Sequence, residues 1–255
     1  MNLFHVAVLS LIEGVTEFLP VSSTGHLILA SELFGIVQTE SHKSFEIAIQ
    51  LGAILAVVVL CGRTLISDRR TIFLTFVAFL PTAVAGFLLY GVVKRVLLGS
   101  IAVVIASLFL GGVILLFFEK FRPAKAETMN IPMMSARQAF YIGLCQAVAM
   151  IPGVSRSAAT VVAGELLGVG RGAIVEFSFL LAIPTMAAAT GYDLWKTAGE
   201  FTAGDVRALF AGFVLSFTFA IIAMRWFTAY VKRHSFVAFG IYRIVAAATF
   251  LFLWK

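Results

Sequence analysis

Six apolar runs, at 45–62, 72–93, 100–118, 174–192, 208–226 and 236–254, each approach the roughly 20 helical residues that cross a bilayer. No feature of the chain restricts its fold more. Within hydrocarbon the backbone must satisfy its own hydrogen bonds, so such runs predict transmembrane helices. Composition agrees: 61% of the residues are hydrophobic and 13% charged, where a soluble domain carries about 25% charge. The charges fall in short gaps such as Arg63 to Arg70, Lys94-Arg95 and the longest polar loop, Glu119 to Arg137. No polar block is large enough to fold as a soluble domain, so the reading is one membrane domain over 1–255.

A net charge of +6 does not point to nucleic acid, because the basic residues sit in loops where they orient spans and meet anionic headgroups. Met1 to His5 lacks a basic stretch, and Glu13 and Glu17 interrupt the apolar run after it, which argues against a cleavable leader. Cys61 and Cys145 lie in or beside apolar runs and suggest neither a metal site nor a disulfide framework.

Two further apolar segments are broken. Residues 3–35 are interrupted by Pro20 and the run Val21 to His26, and residues 138–168 by Pro152 to Ser157. Each half-segment is too short to cross alone, so a re-entrant helix–loop–helix is expected. At an offset of 133 the segments resemble each other: Leu11, Val15, Ser22, Ala30, Glu32, Leu33 and Gly35 face Leu144, Val148, Ser155, Ala163, Glu165, Leu166 and Gly168. Glu13 faces Gln146, and Ser23 faces Arg156. Each half, about 1–119 and about 136–255, then reads as one re-entrant pair plus three spans. Three is odd, so the expectation is an all-α inverted-topology repeat with its interrupted helices near the midplane.

Basic residues set the orientation. With the first re-entrant pair opening to one side, that side holds Lys43, Lys94, Arg95, Lys196, Arg207 and Lys255. The other holds Arg63, Arg69, Arg70, Lys120, Arg122, Lys125, Arg137, Arg171, Arg225, Lys232 and Arg233. The richer side is expected to be cytoplasmic, so the first break opens outward.

The polar residues at the breaks suggest chemistry. Glu13 and Glu17, four apart, share a helix face about 40° wide. With Arg156 they would cost approximately 10 kcal/mol at the bilayer centre unless they pair, bind metal or face a polar cavity. Ser22, Ser23 and Thr24 follow Pro20, where one can cap the next helix and the free N–H groups favour an anion. Ser155, Arg156, Ser157 and Thr160 repeat the design, with a guanidinium fork suited to phosphate oxygens. Two opposed helix starts and one arginine form a cradle for a diphosphate. His26, three residues past Ser23, is a candidate catalytic group on the same face. The roles of Glu46, Glu165 and Glu176 stay open, with Glu165 read as a brace.

These residues carry a resemblance. Glu13-Gly14-Val15-Thr16-Glu17-Phe18-Leu19-Pro20-Val21-Ser22-Ser23-Thr24-Gly25-His26 and Pro152-Gly153-Val154-Ser155-Arg156-Ser157-Ala158-Ala159-Thr160 resemble the bacterial undecaprenyl pyrophosphate phosphatase family, once described as bacitracin-resistance proteins. Phe45-Glu46 to Gln50-Leu51-Gly52 resembles a third family stretch, and the likeness covers the whole chain. It implies hydrolysis of undecaprenyl diphosphate to the monophosphate carrier lipid of cell-wall synthesis, in the bacterial inner membrane, with a divalent cation. By position it implies an acidic pair Glu13 and Glu17, a hydroxyl Ser23, a histidine His26 and a phosphate-binding Arg156.

The residues themselves agree with that chemistry. Two carboxylates and diphosphate oxygens suit Mg²⁺ or Ca²⁺. The nucleophile is Ser23 with His26 assisting, or a water activated by Glu17 or His26. The rival reading is a lipid-phosphate transporter or flippase, which also uses inverted repeats. The acidic pair favours the phosphatase. Oligomeric state, a homodimer included, is left open by the sequence.

Overall fold

The computed structural model describes residues 2–37, 39–97, 99–122, 129–197 and 203–253. Ten α-helices occupy these stretches: α1 Leu3–Thr16, α2 Ser23–Leu33, α3 Glu40–Ser67, α4 Arg69–Val92, α5 Ile101–Phe121, α6 Ala136–Val148, α7 Arg156–Leu166, α8 Arg171–Thr197, α9 Ala203–Val231 and α10 Val237–Leu253. Polar residues start them. Asn2, Ser22, Thr39, Asp68, Ser100, Ser135 and Ser155 each accept a backbone N–H of the first turn, satisfying a donor the helix itself cannot.

All six expected spans are helical. In α4, α5, α8 and α9 the stretches Arg69–Val92, Ile101–Phe121, Arg171–Asp193 and Val206–Val231 are long and apolar enough to cross a membrane. α10 has 17 residues, at the lower limit for a span. α3 is longer than the expected 45–62 run. Its apolar part is Ala48–Thr64, because the first turns carry His42, Glu46 and Gln50 inward. Large apolar side chains such as Phe87, Leu88, Phe117 and Phe252 are exposed, as a lipid-facing surface requires. The chain is a multi-pass membrane protein.

Packing pairs off across the two halves. α1 packs on α9 as α6 packs on α4, and α3 meets α9 as α8 meets α4. α3 packs on α8 and α5 on α10, so these helices meet their own counterparts. Glycines permit the closest approaches at equivalent interfaces. A Cβ on Gly14 of α1 would lie 2.5 Å from the Ser216 carbonyl of α9, and one on Gly143 of α6 would lie 2.0 Å from the Ala78 carbonyl of α4.

The broken segments are built alike. α2 and α7 both have eleven residues and start and end 133 apart. Both close with the same pair of turn bonds, Gly35 N–H to Glu32 and Ile36 N–H to Ser31 in one, Gly168 to Glu165 and Val169 to Gly164 in the other. Gly35 and Gly168 take the left-handed conformation that such a helix stop needs.

Two of the basic residues expected on the richer side, Arg122 and Arg171, meet in one acidic cluster. Arg171 pairs with Glu165 at 2.8 Å and Glu119 at 2.7 Å, and Arg122 with Glu165 at 2.7 Å. Glu119 also accepts the Phe236 N–H at 2.7 Å, which ties α5, α7, α8 and the α9–α10 turn together. Glu165 thus braces the end of its short helix. Lys125 and Lys255, and the side chains of Lys43 and Lys94, lie outside the described residues.

Candidate active site

Each break ends in a strained serine. Ser22 has φ 71° and Ser155 φ 75°, a region uncommon for residues other than glycine and costing about 1–3 kcal/mol. The strain turns the chain sharply into α2 and α7, and each serine then caps its own helix: Ser22 accepts from Gly25 N–H, Ser155 from Ala158 N–H. The two helix starts lie side by side. A Cβ on Gly25 would come within 3.3 Å of the Gly153 Cα.

Arg243 of α10 fastens both breaks. Fully buried, it donates to the carbonyls of Pro20 at 3.1 Å, Gly153 at 2.8 Å and Val154 at 3.0 Å. It also donates to Ser107 and Leu108 of α5, at 3.1 and 3.3 Å. Each of these five contacts goes to a backbone oxygen. A guanidinium has five N–H donors in a rigid fork, which is why arginine can hold such a set. Arg243 lies within the apolar run 236–254, and the sequence offers no sign of these partners.

Where the helix starts converge, Glu17, Ser23 and Arg156 form a chain. The Ser23 hydroxyl donates to one Glu17 oxygen. The other Glu17 oxygen accepts from Arg156 Nη2 at 2.8 Å. Arg156 Nη1 donates to the Ser178 carbonyl at 2.9 Å, while its buried Nε has no partner. One contact therefore joins the halves through a carboxylate and a guanidinium, and a donor is left over for an anion.

These groups face a cavity of about 440 Å³. Glu17, Ser22, Ser23, Thr24, Ser155 and Arg156 line one part of it. Phe79, Phe87, Met150, Met186 and several alanines make the rest apolar, between α4 and α8. Pro81 and Pro184 lie inside these two wall helices. Two glutamines and two threonines to which the sequence assigned no role, Gln50, Gln146, Thr82 and Thr185, also line it. Gln50 donates to Thr24 at 3.4 Å, and Gln146 donates to Thr82 at 2.9 Å and Thr185 at 3.1 Å. Their polar character inside apolar helices was the available signal.

Four expected site residues lie off the cavity wall. Glu13 is fully buried, with Glu17, Ser23 and Glu46 as electrostatic neighbours, and neither of its oxygens has a hydrogen-bond partner. His26 turns away from Ser23. Its Nδ1 donates to the Ser22 carbonyl at 2.8 Å, which leaves Nε2 to accept the Tyr242 hydroxyl at 2.8 Å. The imidazole stacks on the Tyr242 ring at 5.5 Å. Ser157 is buried beside Ser155, and the Thr160 hydroxyl lies 2.7 Å from Ser178, fixing α7 to α8. Among the described residues, no three His, Cys, Asp or Glu gather as a metal-ligand set. Glu46 belongs to a separate buried group with His42, at 3.0 Å, and Ser31, at 2.9 Å.

A helical bundle exposing apolar flanks, with hydroxyls, a carboxylate and a guanidinium set into an apolar cavity, defines a membrane protein that handles an anion bearing an apolar body. The chain belongs to the family described as bacitracin resistance protein BacA, whose model matches residues 6–249. It is similar to the undecaprenyl-diphosphatase of Aquifex aeolicus, 48% identical over 99% of this chain and 100% of that protein. The undecaprenyl-diphosphatases of Wolinella succinogenes and Thermus thermophilus are 49% and 45% identical, over 99% and 100% of this chain and 98% of each relative.

Proposed function

We propose that this protein is an integral-membrane phosphatase that removes the terminal phosphate of undecaprenyl diphosphate and returns undecaprenyl phosphate to cell-wall synthesis. The observation that carries this reading is the Ser23–Glu17–Arg156 chain at the polar part of an apolar cavity. Full-length likeness to undecaprenyl-diphosphatases supports it.

The chemistry follows from the contacts. Ser23 attacks the terminal phosphorus and gives its proton to Glu17, the base already bonded to it. The bond from that phosphorus to the bridging oxygen breaks, and the lipid monophosphate leaves. Water then hydrolyses the seryl phosphate. Arg156, with its spare Nε, and the N–H groups of α2 and α7 hold the charge on the phosphoryl oxygens. His26 acts through its bond to the Ser22 carbonyl, keeping the strained turn in place rather than reaching the phosphorus. Ser22, Thr24 and Ser155 contact the headgroup, and Ser157 and Thr160 hold α7.

A divalent cation fits Glu13 and Glu17. The two unpartnered oxygens of Glu13 are hard donors, and Mg²⁺ characteristically takes one or two carboxylates and completes its shell with substrate phosphates and water. When bound, it supplies positive charge opposite the diphosphate. The two halves form an inverted-topology repeat in the inner membrane, with the breaks opening to the periplasm. The paired helix contacts support the repeat, and the uneven division of basic residues along the sequence supports the orientation. A flippase reading is not favoured.

The test is phosphate release from a prenyl diphosphate by the purified protein in detergent, where no vesicle exists to transport across. Ser23→Ala should lower the rate by on the order of 10⁴-fold or more. An alanine variant with near wild-type release would remove Ser23 from the chemistry. For the cation, Mg²⁺ or Ca²⁺ should raise the thermal midpoint of the substrate-free protein and should not raise that of Glu13→Gln. Equal shifts in both would take Glu13 out of the cation site.

A further inference from the structure

Two tyrosines of the cavity wall seat a lysine that the proposed reaction does not use. Tyr90 lies in the last turn of α4 and Tyr192 near the end of α8, and both line the cavity. Their rings meet edge to face at 4.9 Å. Lys196 Nζ sits 4.5 Å from the centroid of Tyr90 and 4.7 Å from that of Tyr192. The Tyr90 hydroxyl donates to the buried Asp193 at 2.7 Å, which fixes the seat and turns that carboxylate toward the tyrosine. Trp195 next to it is 75% exposed, the placement of a tryptophan at a membrane–water interface. Lys196 itself is exposed.

An ammonium held on two aromatic faces is a positive charge kept at a fixed place. Here that place is beside a cavity whose wall carries Tyr90 and Tyr192 as well as Ser23 and Arg156. We propose that Lys196 is a receiving subsite for the diphosphate headgroup of the lipid substrate, binding it before it reaches Ser23. The proposal rests on the phosphatase reading. Its ligand chemistry is a multiply charged phosphate on a lipid. Ordinary anionic phospholipid and free phosphate share part of that chemistry, so the test separates them.

Hydrolysis of a prenyl diphosphate is measured with the full chain in neutral detergent, for wild type, Lys196→Ala, Lys196→Glu and Lys196→Arg. Loss of one surface cation should raise KM about five-fold with kcat little changed. Glutamate should raise KM further and arginine should hold it near wild type. The difference should shrink as salt rises from about 0.05 to about 0.5 M, because the contact is screened. An unmoved KM in the alanine variant, a loss confined to kcat, or failure of arginine to hold KM would each overturn the proposal. So would a KM difference erased by phosphatidylglycerol or inorganic phosphate at the substrate's own concentration, which would make Lys196 a general phosphate contact. A wild-type protein that releases no phosphate would instead sink the phosphatase reading.

Discussion

The two breaks share a backbone and divide the chemistry. Ser22 and Ser155 adopt the same left-handed turn, and α2 and α7 have the same length and the same terminal turn. The side chains at matching positions differ: Glu13 against Gln146, Ser23 against Arg156, His26 against Ala159. The first break carries the Ser23 hydroxyl and the carboxylates. The second supplies the positive charge, and where Glu13 is left without partners, Gln146 is tied to Thr82 and Thr185. The same strained turn starts both helices, while the side chains it presents differ.

The strongest test of that division is Arg156. If it holds transition-state charge, Arg156→Lys should lose on the order of 10³-fold in rate, since an ammonium cannot reproduce the planar fork. Its thermal midpoint should stay near wild type. An active lysine variant, beside an alanine variant that unfolds and is rescued by adding Glu17→Gln, would reduce the Glu17 pair to a strut between halves. Next comes Glu13→Gln, which makes the first break match the second. Activity should fall by at least about 10- to 100-fold, the effect of losing a residue that merely supports a metal ligand, since Glu13 is placed as a ligand itself. The midpoint should hold or rise, because a buried acid without a hydrogen-bond partner is removed. Unchanged hydrolysis at matched expression would show that the acidic difference between the halves is idle.

His26→Ala, which copies Ala159, should cost less than about tenfold in kcat. Loss of a general base costs roughly 10²- to 10⁴-fold, so a drop of that size would return His26 to proton transfer. The smallest effects belong to the shared part. Ser22→Ala and Ser155→Ala should each lose about 1 kcal/mol of stability through the missing cap, with glycine restoring part of it. Equal shifts in thermal midpoint are expected. Unequal ones would mean that the turns are not equivalent.

Much of this was legible in the sequence because it is local. Helical runs, the breaks and the offset of 133 follow from periodicity and identity along the chain, and one serine of each polar cluster does cap its helix. Ser23 and Arg156 meet Glu17 because the two breaks come together, which the cradle reading required. His26 shows the limit. A spacing of three places it on a helix with Ser23, but Tyr242, more than two hundred positions away, decides where its ring points. Thr160 and Arg243 make the same point, since Ser178 and five distant carbonyls take their donors. A spacing fixes direction within one helix. It says nothing of what a different helix presents there.

The reliance of both breaks on Arg243 has a consequence for synthesis. Translation and membrane insertion proceed from the N-terminus, so Glu17, Ser23 and Arg156 are all made before residue 243. Until α10 arrives, the carbonyls of Pro20, Gly153 and Val154 lack their donor in a place where water is scarce. A chain without α10 therefore carries Glu17, Ser23 and Arg156 without the donor that fastens both breaks, and that fastening arrives only with α10.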